Sequence, residues 1–109
     1  MLDQNLEMSL LFDFYGELLS PRQRDVMRLY HEENLSLSEI AGEFEVSRAA
    51  IYDSLKKAEK SLSGYEEKLG LVDRFVKTSQ AIGKIDKIID ELNDPRLDEV
   101  KKIIDDLEG

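Results

Sequence analysis

The 109-residue chain contains no cysteine and a single histidine. Without cysteine it has no disulfide, no thiolate nucleophile and none of the usual structural zinc sites, a composition compatible with a reducing cytoplasm. His31 has no local partner to serve as a co-ligand or an orienting group. It reads as a surface residue at a helix end, not as a metal ligand or general base. A glycine-rich phosphate loop is also missing, and the many carboxylates fall on faces expected to be solvated. Catalysis is therefore not indicated, and neither a metal nor a cofactor is expected. No apolar run approaches the length of a membrane span. The first residues, MLDQNLEMSLLFDFYGELL, carry Asp3, Glu7, Asp13 and Glu17 and lack a basic start, so they do not read as a signal peptide. A soluble, cytoplasmic protein with no membrane partner is the expectation.

Positive charge is scarce too. Fifteen Lys and Arg against 24 Asp and Glu give a net charge of −9, which repels nucleic-acid phosphate at long range. The balance reverses locally between Ser47 and Lys60, where Arg48, Lys56, Lys57 and Lys60 outnumber Asp53 and Glu59. Arg22, Arg24 and Arg28 add a second basic group on the preceding helix. A basic face on an acidic molecule follows, unless ion pairs along the helices neutralise it.

What the chain does have is helical periodicity. Residues 6–19 place Met8, Leu11, Phe12, Tyr15 and Leu19 on one stripe with Leu10 and Phe14 beside it, wide enough to demand cover. Ser20, Pro21 and Gln23 then form a helix start, with a serine cap, a proline in the first turn and a glutamine placed to close a capping box. Val26, Met27, Leu29 and Tyr30 are the expected inward face of this second helix. Ser36 and Glu39 make another capping box, so a third helix starts at Leu37 and ends near Phe44. Leu35 and Ile40 sit at staple positions.

Ser47 caps a fourth helix, whose inward residues are expected to be Ala50, Ile51 and Leu55, with Ala41 and Ala50 at the crossing. The short break holding Glu45 and Val46 makes Leu35 to Lys60 a helix-turn-helix. If Glu45 takes a left-handed conformation it costs about 1 kcal/mol relative to glycine.

Beyond the motif, Ile51, Leu55, Ala58, Leu62, Tyr65, Leu69, Val72 and Val76 alternate steps of four and three, a coiled-coil seam. A continuous helix from Arg48 to Thr78 is one reading, and a break near Gly64 or Gly70 is the other. The phase shifts around Ser79 to Gly83. After it, Ile82, Ile85, Ile89 and Leu92 mark one amphipathic helix, and Leu97, Val100, Ile104 and Leu107 another. Asn93, Asp94 and Pro95 join them as a helical hairpin. IDKIIDEL at 85 and VKKIIDDL at 100 resemble each other as two helices with the same pattern. The expected architecture is all α and without a wing. Residues 1–63 form a helix-turn-helix domain with an N-terminal helix, and 64–109 form a helical extension and hairpin, together one structural unit.

The outward residues of the fourth helix are Ser47, Arg48, Ala49, Tyr52, Asp53 and Lys56, continued by Lys57 and Lys60. In a DNA-bound helix-turn-helix the first six would face the major groove. Arg48 suits guanine or phosphate, Tyr52 phosphate or a thymine methyl, Lys56 phosphate, and Asp53 cytosine N4. Ala49 offers only a methyl where a longer side chain would read a base edge. The set is thin for sequence-specific recognition, and a scaffold whose exposed face binds protein accounts for the same residues.

LSPRQRDVMRLYHEENLSLSEIAGEFEVSRAAIYDSLKKAEKSL resembles region 4 of bacterial sigma factors, a helix-turn-helix that binds promoter DNA. Residues 9 to about 76 resemble the YlxM family of helix-turn-helix proteins more closely, through LLFDFYGELL, SLSEIA, VSRAAIYDSLKKAEK and YEEKL. That resemblance implies genes beside those for the signal recognition particle GTPase and its receptor, and a regulatory role in that pathway. It implies no enzymatic activity and no cofactor. Glu45 and Ala49 depart from the commoner pattern of such motifs. The partners expected are the particle's GTPase, its RNA, or both. The alternative is a dimeric regulator of transcription on DNA. In either case a homodimer is expected, because the N-terminal stripe and the long helix exceed what one small domain covers.

Overall fold

A computed structural model describes residues 4–108, and Asp3 of the acidic N-terminal stretch lies outside them. Among the described residues there are six α-helices and no strand. They are α1 (Gln4–Tyr15), α2 (Pro21–Met27), α3 (Leu37–Phe44), α4 (Arg48–Leu69), α5 (Leu71–Leu92) and α6 (Asp98–Glu108). The fold is all α, and no strand pair follows α4 to make a wing.

The caps form where local chemistry places them. Ser20 accepts from the Gln23 N–H at 3.2 Å while the Gln23 side chain accepts from the Ser20 N–H at 3.4 Å. Ser36 and Glu39 exchange the same pair of bonds, each at 3.0 Å. Ser47 accepts from the Ala50 N–H at 3.0 Å and opens α4. Each cap supplies an acceptor to an N–H that the first helical turn leaves without an internal partner.

The chain divides into two compact units, one to Val72 and one from Asp73. In the first, α4 is the central element and packs against α1, α2 and α3. Ile51, Leu55, Ala58 and Leu62 form its buried stripe at 0–3% exposure. Val26, Met27 and Ile40 meet the same core without exposed surface, and Leu11, Tyr15 and Leu19 bring α1 and the turn after it into the core.

Four expectations need correction. Ala50 is exposed, not inward, because steps of four and three from Ile51 leave it on the far side of the helix. Of the two readings of the long seam, the continuous helix from Arg48 to Thr78 fails and the break near Gly70 holds: Gly70 takes φ +63° and ends α4, while Gly64 sits inside α4 without breaking it. Conversely, α5 runs unbroken through Ser79 to Gly83, where the apolar phase shifts.

The fourth correction concerns the end of α2. The helix widens there into a π turn, Arg28–Glu32, closed by the Glu33 N–H on the Arg28 carbonyl at 3.1 Å. Each residue of a π turn advances the helix by less than 100°, so the phase lags. Tyr30, expected inward, is left 37% exposed, and His31 turns in to meet Glu59 instead of lying free on the surface.

The second unit is a helical hairpin. Asn93 takes φ +48°, a left-handed conformation that asparagine tolerates. Asp94 caps the turn Pro95–Leu97 by accepting from the Arg96 N–H at 2.9 Å, and the Arg96 guanidinium holds the Asp94 carboxyl below its usual range. Ile89 and Ile104 are buried, and Lys101 pairs with Asp90 across the two helices. No helix of the described residues is long and apolar enough to cross a membrane.

Candidate nucleic-acid or partner interface

The turn between α3 and α4 sets how the fourth helix is presented. Glu45 adopts φ +55°, ψ +43°, and the Val46 N–H reaches back to the Ala41 carbonyl at 3.1 Å. This is a Schellman-type helix end, usually built on glycine, and here the left-handed position is occupied by a side chain with a Cβ. Ser47 then caps α4 at once, so only Glu45, Val46 and Ser47 separate the two helices of the motif.

Ser47, Arg48, Ala49, Tyr52, Asp53, Lys56, Lys57 and Lys60 are all exposed. At 100° per residue, those from Arg48 onward spread over about half the circumference of α4, opposite the Ile51, Leu55, Ala58 and Leu62 stripe. Tyr52 stands 50% exposed among them. The sequence-predicted residues therefore share one continuous surface.

Its electrostatics are narrower than the sequence suggests. Lys57 pairs with Asp53 at 3.0 Å. Lys56 pairs with Glu59 at 3.3 Å, an interaction that raises the lysine's pKa, and its ammonium also lies 5.5 Å from the centre of the Tyr52 ring. Of the four cations on this face, Arg48 and Lys60 have no ion pair among the described residues. The second basic group is engaged only in part, with Arg24 standing exposed. Arg22 stacks over the Phe44 ring at 4.4 Å, and Arg28 bonds to Glu33 at 2.6 Å.

Two side-chain links behind this surface were not legible in the sequence. His31 Nε2 lies 3.1 Å from Glu59 Oε2, tying the π turn to the helix that carries the exposed face. Tyr15 Oη donates to Glu66 Oε1 at 2.6 Å and accepts from the Leu71 N–H at 3.1 Å, while Glu66 Oε1 accepts from the Val72 N–H at 3.0 Å. Together they cap the start of α5. One signal did exist: the residue before α5 is Gly70, with no Ser, Thr, Asp or Asn at the capping position, so the first N–H groups of α5 required an acceptor from elsewhere.

An open groove of about 560 Å³ lies beside the π turn, lined by Phe12, Tyr30, His31, Asn34 and Glu39 among others. Among the described residues no group of three or more His, Cys, Asp or Glu side chains is placed to hold a metal ion.

Comparison with known proteins agrees with this geometry. Residues 2–106 match the family model UPF0122, described as "Putative helix-turn-helix protein, YlxM / p13 like". A UPF0122 protein of Halalkalibacterium halodurans is 47% identical over 91 residues, covering 84% of each chain. UPF0122 proteins of Bacillus cereus strain AH187 and Bacillus thuringiensis subsp. konkukian are each 42% identical over 108 residues, covering 99% of this chain and 97% of the relative. A match over nearly the whole length, together with two helices joined by a three-residue turn and a second helix that keeps one face exposed, places the chain in the UPF0122 family of YlxM / p13-like helix-turn-helix proteins.

Proposed function

We propose that this chain is a cytoplasmic, non-enzymatic regulatory protein of the signal recognition particle pathway, working as a homodimer whose α4 face binds the particle's GTPase, its RNA, or both. The observation that carries the reading is the exposed but electrostatically thin face of α4, where Arg48 and Lys60 are the cations without an ion pair among the described residues. Readers of duplex DNA derive much of their affinity from several phosphate contacts. Two such cations on a molecule of net charge −9 supply little of that attraction. A protein surface, or a folded RNA recognised by shape, demands less of it. The resemblance to the YlxM family supplies the pathway.

Capture of purified GTPase and purified particle RNA on the immobilised protein tests the proposal. Retention of either at micromolar concentration supports it, and retention of neither ends it.

A second reading, a dimeric transcription regulator, draws on Tyr52 and Arg48 standing exposed at the start of a recognition helix. It predicts half-sites about one helical turn apart or a multiple of that. Selection from random duplexes at low salt enriches such a motif if this reading holds, and enriches nothing if it does not.

A further inference from the structure

The hairpin of α5 and α6 buries one edge of its apolar residues and leaves the other bare. Ile89 and Ile104 are 9% and 7% exposed, whereas Ile85, Ile88 and Leu92 on α5 are 45%, 56% and 63% exposed. Val100, Ile103 and Leu107 on α6 are 38%, 57% and 76% exposed. The two sets occupy the same places in the repeated pattern of IDKIIDEL and VKKIIDDL.

Helical geometry places both sets on one side. At 100° per residue, positions 85, 88 and 92 lie within about 60° of one another and all to the same side of Ile89; positions 100, 103 and 107 lie likewise beside Ile104. The helices run antiparallel with Ile89 and Ile104 turned inward, so the two strips open onto the same face of the hairpin. The two strips come from equivalent positions of two helices that carry the same pattern. The result is a six-residue face without a charged side chain.

We propose that this face is the dimer interface, and that its occupant is the same face of a second copy, the two hairpins closing into a four-helix bundle. Two features select a second copy over another protein. An isologous contact requires a self-complementary surface, which two equivalent apolar strips provide, and the face carries no charge that would specify a different partner. The area is also sufficient. At roughly 100 Å² exposed per aliphatic residue, the six present about 600 Å² per copy and 1,200 Å² per pair, at the lower bound of a stable specific interface and at the top of what a monomer leaves bare. Antiparallel helices packed in this way bury such strips as the core of a four-helix bundle. The inference rests on the homodimer named above and assigns its surface.

Sedimentation equilibrium of the full chain from micromolar to a few hundred micromolar tests it, with the Ile88→Glu, Ile103→Glu double variant alongside. Both substituted residues are more than half exposed, so the separate chain retains its core. The wild type is expected at twice the 12.5 kDa chain mass, and the double variant as a monomer of unchanged helicity, its association weakened at least about 100-fold because a carboxylate is costly to bury in an apolar contact. Leu107→Gln, at the most exposed position, is a milder disruption that weakens association in the same direction if the double variant does not fold. Leu18→Glu, equally exposed but in the first unit, leaves the dimer intact. A monomeric wild type overturns both the homodimer and this surface. A double variant that stays dimeric, or a Leu18→Glu variant that dissociates as readily, overturns the surface alone.

Discussion

Tyr15 and Glu66, 51 residues apart, share a 2.6 Å hydrogen bond that stands where α5 has no cap of its own. Burial pushes the Tyr15 phenol above its ordinary range, and the bond it donates to Glu66 adds to this. Tyr15→Phe removes the donor to Glu66 and the acceptor for the Leu71 N–H. The expected loss is about 4–8 °C in thermal midpoint at neutral pH, the scale of one buried hydrogen bond in a domain of this size. Because the folded-state pKa is raised, the stabilisation is complete below the ordinary tyrosine range and fades as pH rises through the folded value. The gap between wild type and variant therefore narrows above about pH 10. A gap that stays constant with pH would refute the protonated tyrosine as the bond's donor.

Two left-handed residues, Glu45 and Gly70, end α3 and α4, and they respond oppositely to substitution. Gly70→Ala places a Cβ at φ +63° and is expected to destabilise by about 1 kcal/mol. Glu45→Gly relieves the same strain at φ +55° and is expected to stabilise by a similar amount, about 1 kcal/mol. Urea denaturation at equal m-value measures both. The same sign for both would contradict the backbone account.

How much of this could be read in advance depends on sequence separation. The Ser20, Ser36 and Ser47 caps span three residues each, and every one forms as the sequence predicts. The Asn93–Asp94–Pro95 turn is equally local and it too forms as the sequence predicts, whereas the sequence leaves the left-handed conformation of Glu45 open. The Tyr15–Glu66 and His31–Glu59 links join residues 51 and 28 positions apart, and neither pairing has a sequence signature. The exposed α4 residues were identifiable from periodicity, whereas their mutual neutralisation depends on side-chain rotamers that periodicity does not determine. For Tyr30 and His31 periodicity predicts the wrong sides, because it presumes 3.6 residues per turn where the helix is wider.

Leu62 has no exposed surface and lies at the end of the α4 stripe that α1, α2 and α3 share. Leu62→Ala should cost about 2–5 kcal/mol, the range for a leucine truncated in a packed core. Leu69→Ala, at 57% exposure on the same helix, should change stability by less than about 0.5 kcal/mol. Chemical denaturation of the pair separates a core position from a solvated one. Equal losses at the two positions would argue against the burial described.

On the α4 surface, substitution should separate paired from unpaired cations. Arg48→Ala and Lys60→Ala are expected to weaken capture of the partner several-fold each. Lys57→Ala, whose ammonium is already engaged by Asp53, should have the smaller effect. Titrations at two salt concentrations check this, because the contribution of exposed charges falls with ionic strength. Indifference to all three substitutions would move the binding face off α4.

The Glu39 carboxyl is held below its usual range by the Ser36 N–H first and by the Ser36 hydroxyl second. A depressed folded-state pKa stabilises above the ordinary carboxylate range and ceases to do so as pH falls through the lowered value. Glu39→Gln keeps an acceptor for the Ser36 N–H and removes the titration. Its stability should therefore fall less steeply than the wild type's below about pH 4. Parallel acid-unfolding profiles would show that Glu39 does not contribute in this way.

The π turn at Arg28–Glu32 is, in effect, one surplus residue stored in a helix. Deleting a single residue from it would let the backbone revert to regular winding, carrying Tyr30 toward the core and His31 away from Glu59. The segment is therefore sensitive to length more than to composition: a conservative exchange of Glu32 changes little, while the loss of one peptide unit re-aims every side chain from there to the start of α3.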